Sequence, residues 1–259
     1  MKPNWQKERN IAEQAALEAG KRIREFYQKD PWIKEKSPKN FLTQADQEAN
    51  EIIHSLIRSN FPEDGWLSEE TVEDSKEQEK KRLWVVDPLD GTYEFVHSIP
   101  EFAVSIALTF EGSPVVGVVY NPATEELFSG SQGEGVFLNN VPRKISECGD
   151  IKEARILVSR NEFNRNEVDF LKDKLKLVPK GGTAYKLALV AAGLYEGSLS
   201  VQPKNNWDFA AAMALLQIGG AVVGDNKGVI FDKLPRKVTG LCVGARRLHD
   251  TLIQWLKTS

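Results

Sequence analysis

The order of hydrophobic patterns along the chain predicts an α+β fold in which mixed sheets are layered with helices. Two amphipathic helical stripes come first, a run of strand-like segments comes next, and strands and helices then alternate toward the C-terminus. With 259 residues, 41% apolar and 27% charged, the chain has the balance of a globular protein and can bury a substantial core. The polar stretch at residues 146–153 divides it into an N-terminal half, 1–148, and a C-terminal half, 149–259.

From Trp5 to Tyr27, the residues Ile11, Ala15, Ala19, Ile23 and Phe26 recur at three- and four-residue intervals, the stripe of an amphipathic helix that Pro31 is expected to end. A second stripe, Ala45, Ala49, Ile52, Ile53, Leu56 and Ile57, starts after Thr43, a helix-capping residue type, and stops before Phe61 and Pro62. Trp66, Leu67 and Ser68 form a short β-like segment. The polar stretch Thr71 to Arg82 reads as a solvated loop or short exposed helix, with a mobile flap as the alternative. Leu83 to Val86 is a strand, and Phe102 to Leu108 and Val115 to Tyr120 flank a turn and predict a hairpin. Further strands are expected at Leu127–Phe128, Val136–Phe137 and Arg155–Ser159. Two helices complete the pattern, Ala184 to Leu194 after Gly181-Gly182-Thr183, and Asp208 to Gln217 between Trp207 and Gly219-Gly220.

A net charge of −3 gives no general attraction to nucleic acid polymers or to an anionic membrane. An anionic substrate must therefore be met locally, by metal ions, helix N-termini or a few cations. Cys148 and Cys242 are far apart and form no metal-binding or disulfide pattern. The N-terminus lacks the apolar stretch of a signal peptide, and no run approaches the ~20 apolar residues of a membrane span. These features predict a cytoplasmic protein.

The segment LWVVDPLDGTYEF, Leu83 to Phe95, concentrates the chemistry. Its strand delivers Asp87, Pro88 stiffens the turn after it, and Gly91 permits an unusual backbone angle. Asp87 and Asp90 on one tight loop repel each other unless a cation lies between them, and Mg²⁺ suits carboxylates that leave room for water and phosphate oxygens. The backbone N–H groups of Gly91 and Thr92 can then hold phosphate. Taken alone, D-P-L-D-G is also an ordinary turn. Glu69 and Glu70 add a second acidic pair. Asp208 reads alone as an N-cap and Asp46 as a first-turn acid. His97 reads as a packing or hydrogen-bonding residue, and His54 and His249 as surface residues. Trp207 is expected to buttress Asp208, and Lys186 either reaches substrate phosphate or is solvated.

DPLDGTYEF, the acidic pair in GWLSEE, T-x-A-D at 43–46 and WDFAA from Trp207 occur in the order of the motifs of the inositol monophosphatase superfamily, which the chain resembles from about residue 10 to residue 245. The resemblance implies a layered αβαβα sandwich, often dimeric, that hydrolyses small phosphate esters and is lithium-sensitive. It implies two or three Mg²⁺ ions. Glu69, Asp87 and the Leu89 carbonyl would hold one, and Asp87, Asp90 and Asp208 a second; two ions ~3.5–4 Å apart activate water, clamp the phosphate and stabilise the leaving alkoxide. Asp46 and Thr92 would orient and deprotonate the attacking water, with Glu70 supporting the metal shell. Substrate would be met by Gly91, Thr92, Gly182, Thr183, Ala184, Lys186 and Asp208.

Substrates in this superfamily include inositol monophosphates, fructose 1,6-bisphosphate, 3'-phosphoadenosine 5'-phosphate and histidinol phosphate. Inositol monophosphatases generally carry Glu seven residues before the W-D aspartate, where this chain has Val201. Val201, GTYEF, Lys186 and Pro203 resemble the 3'(2'),5'-bisphosphate nucleotidase branch, in which Lys186 or Lys204 would meet the second phosphate. Tyr93, however, stands where that branch often has Lys. The sequence thus places 3'-phosphoadenosine 5'-phosphate first, inositol monophosphate second and a broad sugar-phosphate phosphatase third. A phosphate binder without catalysis is disfavoured because every expected motif position is filled.

Overall fold

The computed structural model describes residues 4–29, 33–37, 40–71, 74–147 and 150–257. Helix α1 (Gln6–Phe26), the ribbon β1 (Ile33–Ser37) and β2 (Asn40–Thr43), and helix α2 (Gln44–Asn60) open the chain. They lead into β3 (Gly65–Ser68), α3 (Ser75–Gln78), β4 (Arg82–Asp90) and α4 (Thr92–Val96). A meander comes next: β5 (Ala103–Phe110), β6 (Ser113–Asn121), β7 (Glu126–Ser131), β8 (Gly135–Leu138) and β9 (Val141–Arg143). The remainder runs β10 (Arg155–Ser159), α5 (Arg160–Asn164), β11 (Lys176–Lys180), α6 (Thr183–Ala191), β12 (Gly197–Ser200) and β13 (Lys204–Asn205). It closes with α7 (Ala210–Ile218), β14 (Val222–Gly224), β15 (Lys237–Val238), β16 (Leu241–Gly244) and α8 (Arg246–Lys257).

Strands β3 to β9 form a seven-stranded sheet in sequence order, parallel at β3/β4 and antiparallel elsewhere. A five-stranded sheet has the order β11-β10-β12-β16-β14. Both sheets are covered on both faces, so their strands read as nearly continuous apolar runs. On the large sheet, Val104, Ile106, Val116 and Val118 meet Ala16, Ile23, Ala49 and Ile53 of α1 and α2. The residues of opposite parity, Ala107 and Val119, meet Ala184, Ala188, Ala211 and Leu215 of α6 and α7. The same two helices cover Leu157 and Val243 of the second sheet, whose other face, Ile156, Val158 and Cys242, packs on Leu248 and Leu252 of α8. The two-residue period of the strands thus generates five layers, helix–sheet–helix–sheet–helix. No helix among the described residues is long and apolar enough to cross a membrane.

Thr43 caps α2 as expected, in a reciprocal capping box with Asp46. Pro31, Cys148 and Gly149 lie outside the described residues, as do Val72 and Glu73 of the polar stretch. The rest of that stretch holds α3, tied to α2 by the Glu77–Arg58 ion pair. His249 departs from the surface expectation: it is 2% exposed, on the face of α8 that carries Leu252 and Ile253.

Asp64 fastens the edge of the large sheet. Its carboxylate accepts from Arg82 Nε at 2.7 Å, Arg82 Nη2 at 3.0 Å and the indole N–H of fully buried Trp84 at 2.9 Å. Asp64→Ala leaves the indole donor unpaired and should cost about 1–3 kcal/mol. A lower urea midpoint at unchanged m-value is the expected reading.

Candidate active site

Parallel pairing of β3 with β4 brings two acidic segments to one sheet end, because parallel neighbours run in the same direction. Ser68 pairs with Val86, so Glu69 comes directly beside Asp87, with its N–H on the Val86 carbonyl. Strand β4 continues through Asp90 instead of breaking into a loop after Val86. Its pairing with β5 shifts register between Asp87 and Asp90, an irregularity that re-aims side chains at a sheet end. Gly91 then takes φ +85° and caps α4, a conformation costly for a residue with a Cβ.

Asp208 arrives from the other half of the chain. It lies in the turn between β13 and α7, and the helix begins only at Ala210. Its carboxylate accepts from the Asn205 N–H at 2.8 Å and does not cap α7, which corrects the N-cap reading and starts the helix later than the sequence pattern does. Glu69, Asp87 and Asp208 each place a carboxylate oxygen within 4.8 Å of the others.

Burial pushes the Asp87 carboxyl well above its ordinary range, and the charges of Glu69, Asp90 and Asp208 add to the push. Asp208 is raised to about 7, chiefly by burial, with its Asn205 hydrogen bond opposing. Three carboxylates gathered in one mouth repel unless they are protonated or share a cation. Their hard oxygen donors and close spacing fit a divalent ion such as Mg²⁺. Leu89 lines the same mouth, and its carbonyl accepts from Thr92 Oγ1 at 3.0 Å.

Asp46 reaches the site from the first turn of α2. One carboxylate oxygen accepts from the Thr43 N–H and hydroxyl at 2.8 and 2.6 Å, and the other faces Thr92 Oγ1 at 3.2 Å. Burial raises Asp46 to about 7 against the lowering effect of the Thr43 hydrogen bonds, with Glu70 and Glu69 adding charge repulsion. It therefore combines the local cap with a partner 46 residues away.

A cavity of about 430 Å³ is lined by Glu69, Asp87, Leu89, Asp90, Gly91, Thr92, Tyr93, Glu94, Thr183, Pro203, Lys204 and Asp208. Asp46, Glu70, Gly182, Ala184 and Lys186 are not part of that lining, and Asp46 meets it only through Thr92. The Thr183 amide, on a residue expected to meet substrate, is directed at Asp90, donating to Oδ1 at 2.8 Å, and the Tyr185 N–H donates to Oδ2 at 3.2 Å. Lys186 is buried behind the cavity, neither solvated nor in its wall. His97 stacks on Tyr93 and bonds the Tyr93 carbonyl through Nδ1, and Trp207 is half-buried next to Asp208. The sequence pattern does not mark Glu94; its one signal is its place two residues after Thr92 within the same motif, in the first turn of α4.

Residues 4–259 match the inositol monophosphatase family. Inositol monophosphatase 3 of Solanum lycopersicum is 33% identical over 242 residues, covering 88% of this chain and 90% of that protein. An inositol-1-monophosphatase of Mesorhizobium japonicum is 35% identical over 231 residues, 85% of each chain. Among solved structures, the extragenic suppressor protein suhB of Bartonella henselae superposes with a TM-score of 0.87 at 31% identity, covering 96% of this chain and 98% of that one. With the family match spanning nearly the whole chain and the acidic mouth assembled from its separated motifs, this chain belongs to the inositol monophosphatase family, whose members are phosphatases.

Proposed function

We propose that the chain is a Mg²⁺-dependent phosphomonoesterase whose preferred substrate is an inositol monophosphate. The observation that carries the reading is the meeting of Glu69, Asp87 and Asp208 with the Asp46–Thr92 contact around one open cavity. Glu69, Asp87, Asp90, Asp208 and the Leu89 carbonyl are the groups that would hold two or three Mg²⁺ ions, which supply Lewis-acid stabilisation of phosphoryl and leaving-group charge when bound. Thr92 Oγ1 has one proton and two acceptors in reach, Asp46 Oδ1 and the Leu89 carbonyl. Donating to Asp46 leaves its lone pairs free to accept from the attacking water, so the hydroxyl orients that water while the Asp46 carboxylate receives the proton. A carboxyl near 7 is suited to that task at neutral pH. Glu70 acts through its charge on Asp46. The Gly91 and Thr92 amides and the Thr183 hydroxyl, on residues that line the cavity, would donate to phosphate oxygens.

The names of the relatives and the place of Val201 both support an order opposite to the one the sequence gives. Val201 is partly buried, packed against the core cluster beneath α8, and is not part of the cavity lining. Its missing carboxylate therefore does not count against inositol. The nucleotide reading stands second, supported by Lys204, a lysine in the wall of an otherwise acidic cavity that offers a partner for a second phosphate. A cytoplasmic homodimer completes the proposal and rests on composition and resemblance.

Phosphate release with Mg²⁺ from inositol 1-phosphate and 3'-phosphoadenosine 5'-phosphate, measured side by side, tests the order. A kcat/KM at least tenfold higher for the inositol ester is expected. The reverse preference, lost in Lys204→Met, would install the nucleotide reading, and no release from either ester would remove the proposal.

A further inference from the structure

Lys186 is the only buried lysine or arginine among the described residues, 4% exposed. Its Nζ donates to the Gly182 carbonyl at 2.9 Å, the same oxygen that receives its backbone N–H at 3.2 Å. A buried ammonium needs counter-charge to remain ionised: burial pushes the Lys186 pKa down, the carboxylates Asp90, Glu94 and Glu162 act against that, and Lys204 adds to it. Asp90 and Glu94 are each 6% exposed. Burial pushes both carboxyls up, and Lys186 is the strongest influence in the opposite direction on each.

The Gly181-Gly182 turn threads between these two acids. A Cβ on Gly181 would fall 2.3 Å from Glu94 Cγ, and one on Gly182 would fall 2.9 Å from Asp90 Oδ2. On its other side, the Gly181 N–H is held by Glu101 at 2.6 Å. The turn leads into the pair of amides, Thr183 and Tyr185, that grips the Asp90 carboxylate. Lys186 thus fastens the turn from beneath, and Glu94 packs against its flank.

We propose that Lys186 and Glu94 are a positioning pair: Lys186 clamps the Gly182 carbonyl and balances the charge of Asp90 and Glu94, so that the α6 amides stay on Asp90 and fix its aim into the metal-binding mouth. The inference rests on the metal-dependent reading above and assigns Lys186 no contact with substrate. Groups behind metal ligands commonly change metal affinity by about 10–100-fold.

The test compares wild type, Lys186→Met, Glu94→Gln and the double variant, using Mg²⁺ binding to the metal-free protein by calorimetry and the Mg²⁺ dependence of phosphate release. Lys186→Met should weaken Mg²⁺ binding about 10–100-fold and raise the half-saturating Mg²⁺ concentration equally, with KM for the ester unchanged at saturating metal. Glu94→Gln should weaken binding in the same direction, because Lys186 is then drawn toward Asp90. The double variant should bind more tightly than Lys186→Met, since no unpaired Glu94 charge is left buried. Unchanged Mg²⁺ affinity in Lys186→Met, additive losses in the double variant, or a raised KM at saturating metal would overturn the proposal. Should Lys186→Met fail to fold, unchanged affinity in Glu94→Gln would overturn it alone. A wild type that neither binds Mg²⁺ nor releases phosphate would instead refute the underlying functional reading.

Discussion

Changing Asp87 to asparagine should remove nearly all phosphate release while making the metal-free protein more stable. Asp87 is 3% exposed and stands between Glu69, Asp90 and Asp208, whose charges raise its pKa after burial itself. An amide of the same shape relieves that repulsion, so metal-free Asp87→Asn should melt at a higher temperature than metal-free wild type. The same change removes an anionic ligand from the mouth. Lewis-acid stabilisation is worth several kcal/mol and about 1.4 kcal/mol is a factor of ten in rate, so a loss of about three orders of magnitude is expected.

The pH dependence has its origin in the same repulsion. Asp46, Glu94 and Asp208 are each raised to about 7 with burial as the main cause. A carboxyl whose pKa is higher folded than unfolded contributes its full stability below its unfolded value, near 4, and loses it as pH rises through about 7. Each such group changes stability by about 1.4 kcal/mol per pH unit within that window. The melting temperature of metal-free wild type should therefore fall between pH 5 and pH 8, and the increment on adding Mg²⁺ should grow over the same range. An increment that is flat with pH, or a metal-free Asp87→Asn no more stable than wild type, would contradict the account of the acidic mouth.

Asp46→Asn should lower kcat by about 10²–10⁴-fold, the usual contribution of a positioned general base, while leaving Mg²⁺ affinity nearly intact. The asparagine carbonyl can still accept from the Thr43 N–H that now bonds Asp46 at 2.8 Å, so the α2 cap and the fold are retained. The loss is that of the acceptor for the proton passed through Thr92. Thr92→Val should produce a loss of similar size, and the double variant should be little worse than either, because two groups acting as one relay are not additive. A kcat within a few-fold of wild type in Asp46→Asn, with normal folding, would reduce Asp46 to a helix cap.

Local sequence determined the elements whose physics is local. The three- and four-residue spacing wrote α1 and α2, Thr43 set the start of α2, and the turn at Glu111-Gly112 joined β5 to β6. The order of the separated motifs pointed to the acidic residues through the family resemblance it carries, and the closeness of Asp87 and Asp90 in the chain called for a cation. Tertiary structure decided what those residues face. Parallel register placed Glu69 beside Asp87, a turn from the other half of the chain delivered Asp208, and α2 carried Asp46 to Thr92. None of these distances is encoded in spacing. Lys186 and His249 lie on helices whose polar positions could face either way, and only the packing of α6 and α8 buried them. Val201 was a position in a count until the core beneath α8 took it away from the cavity. Periodicity reports which residues share a face, whereas the partner opposite that face is chosen by sheet register and layer order, which involve residues far apart in the chain.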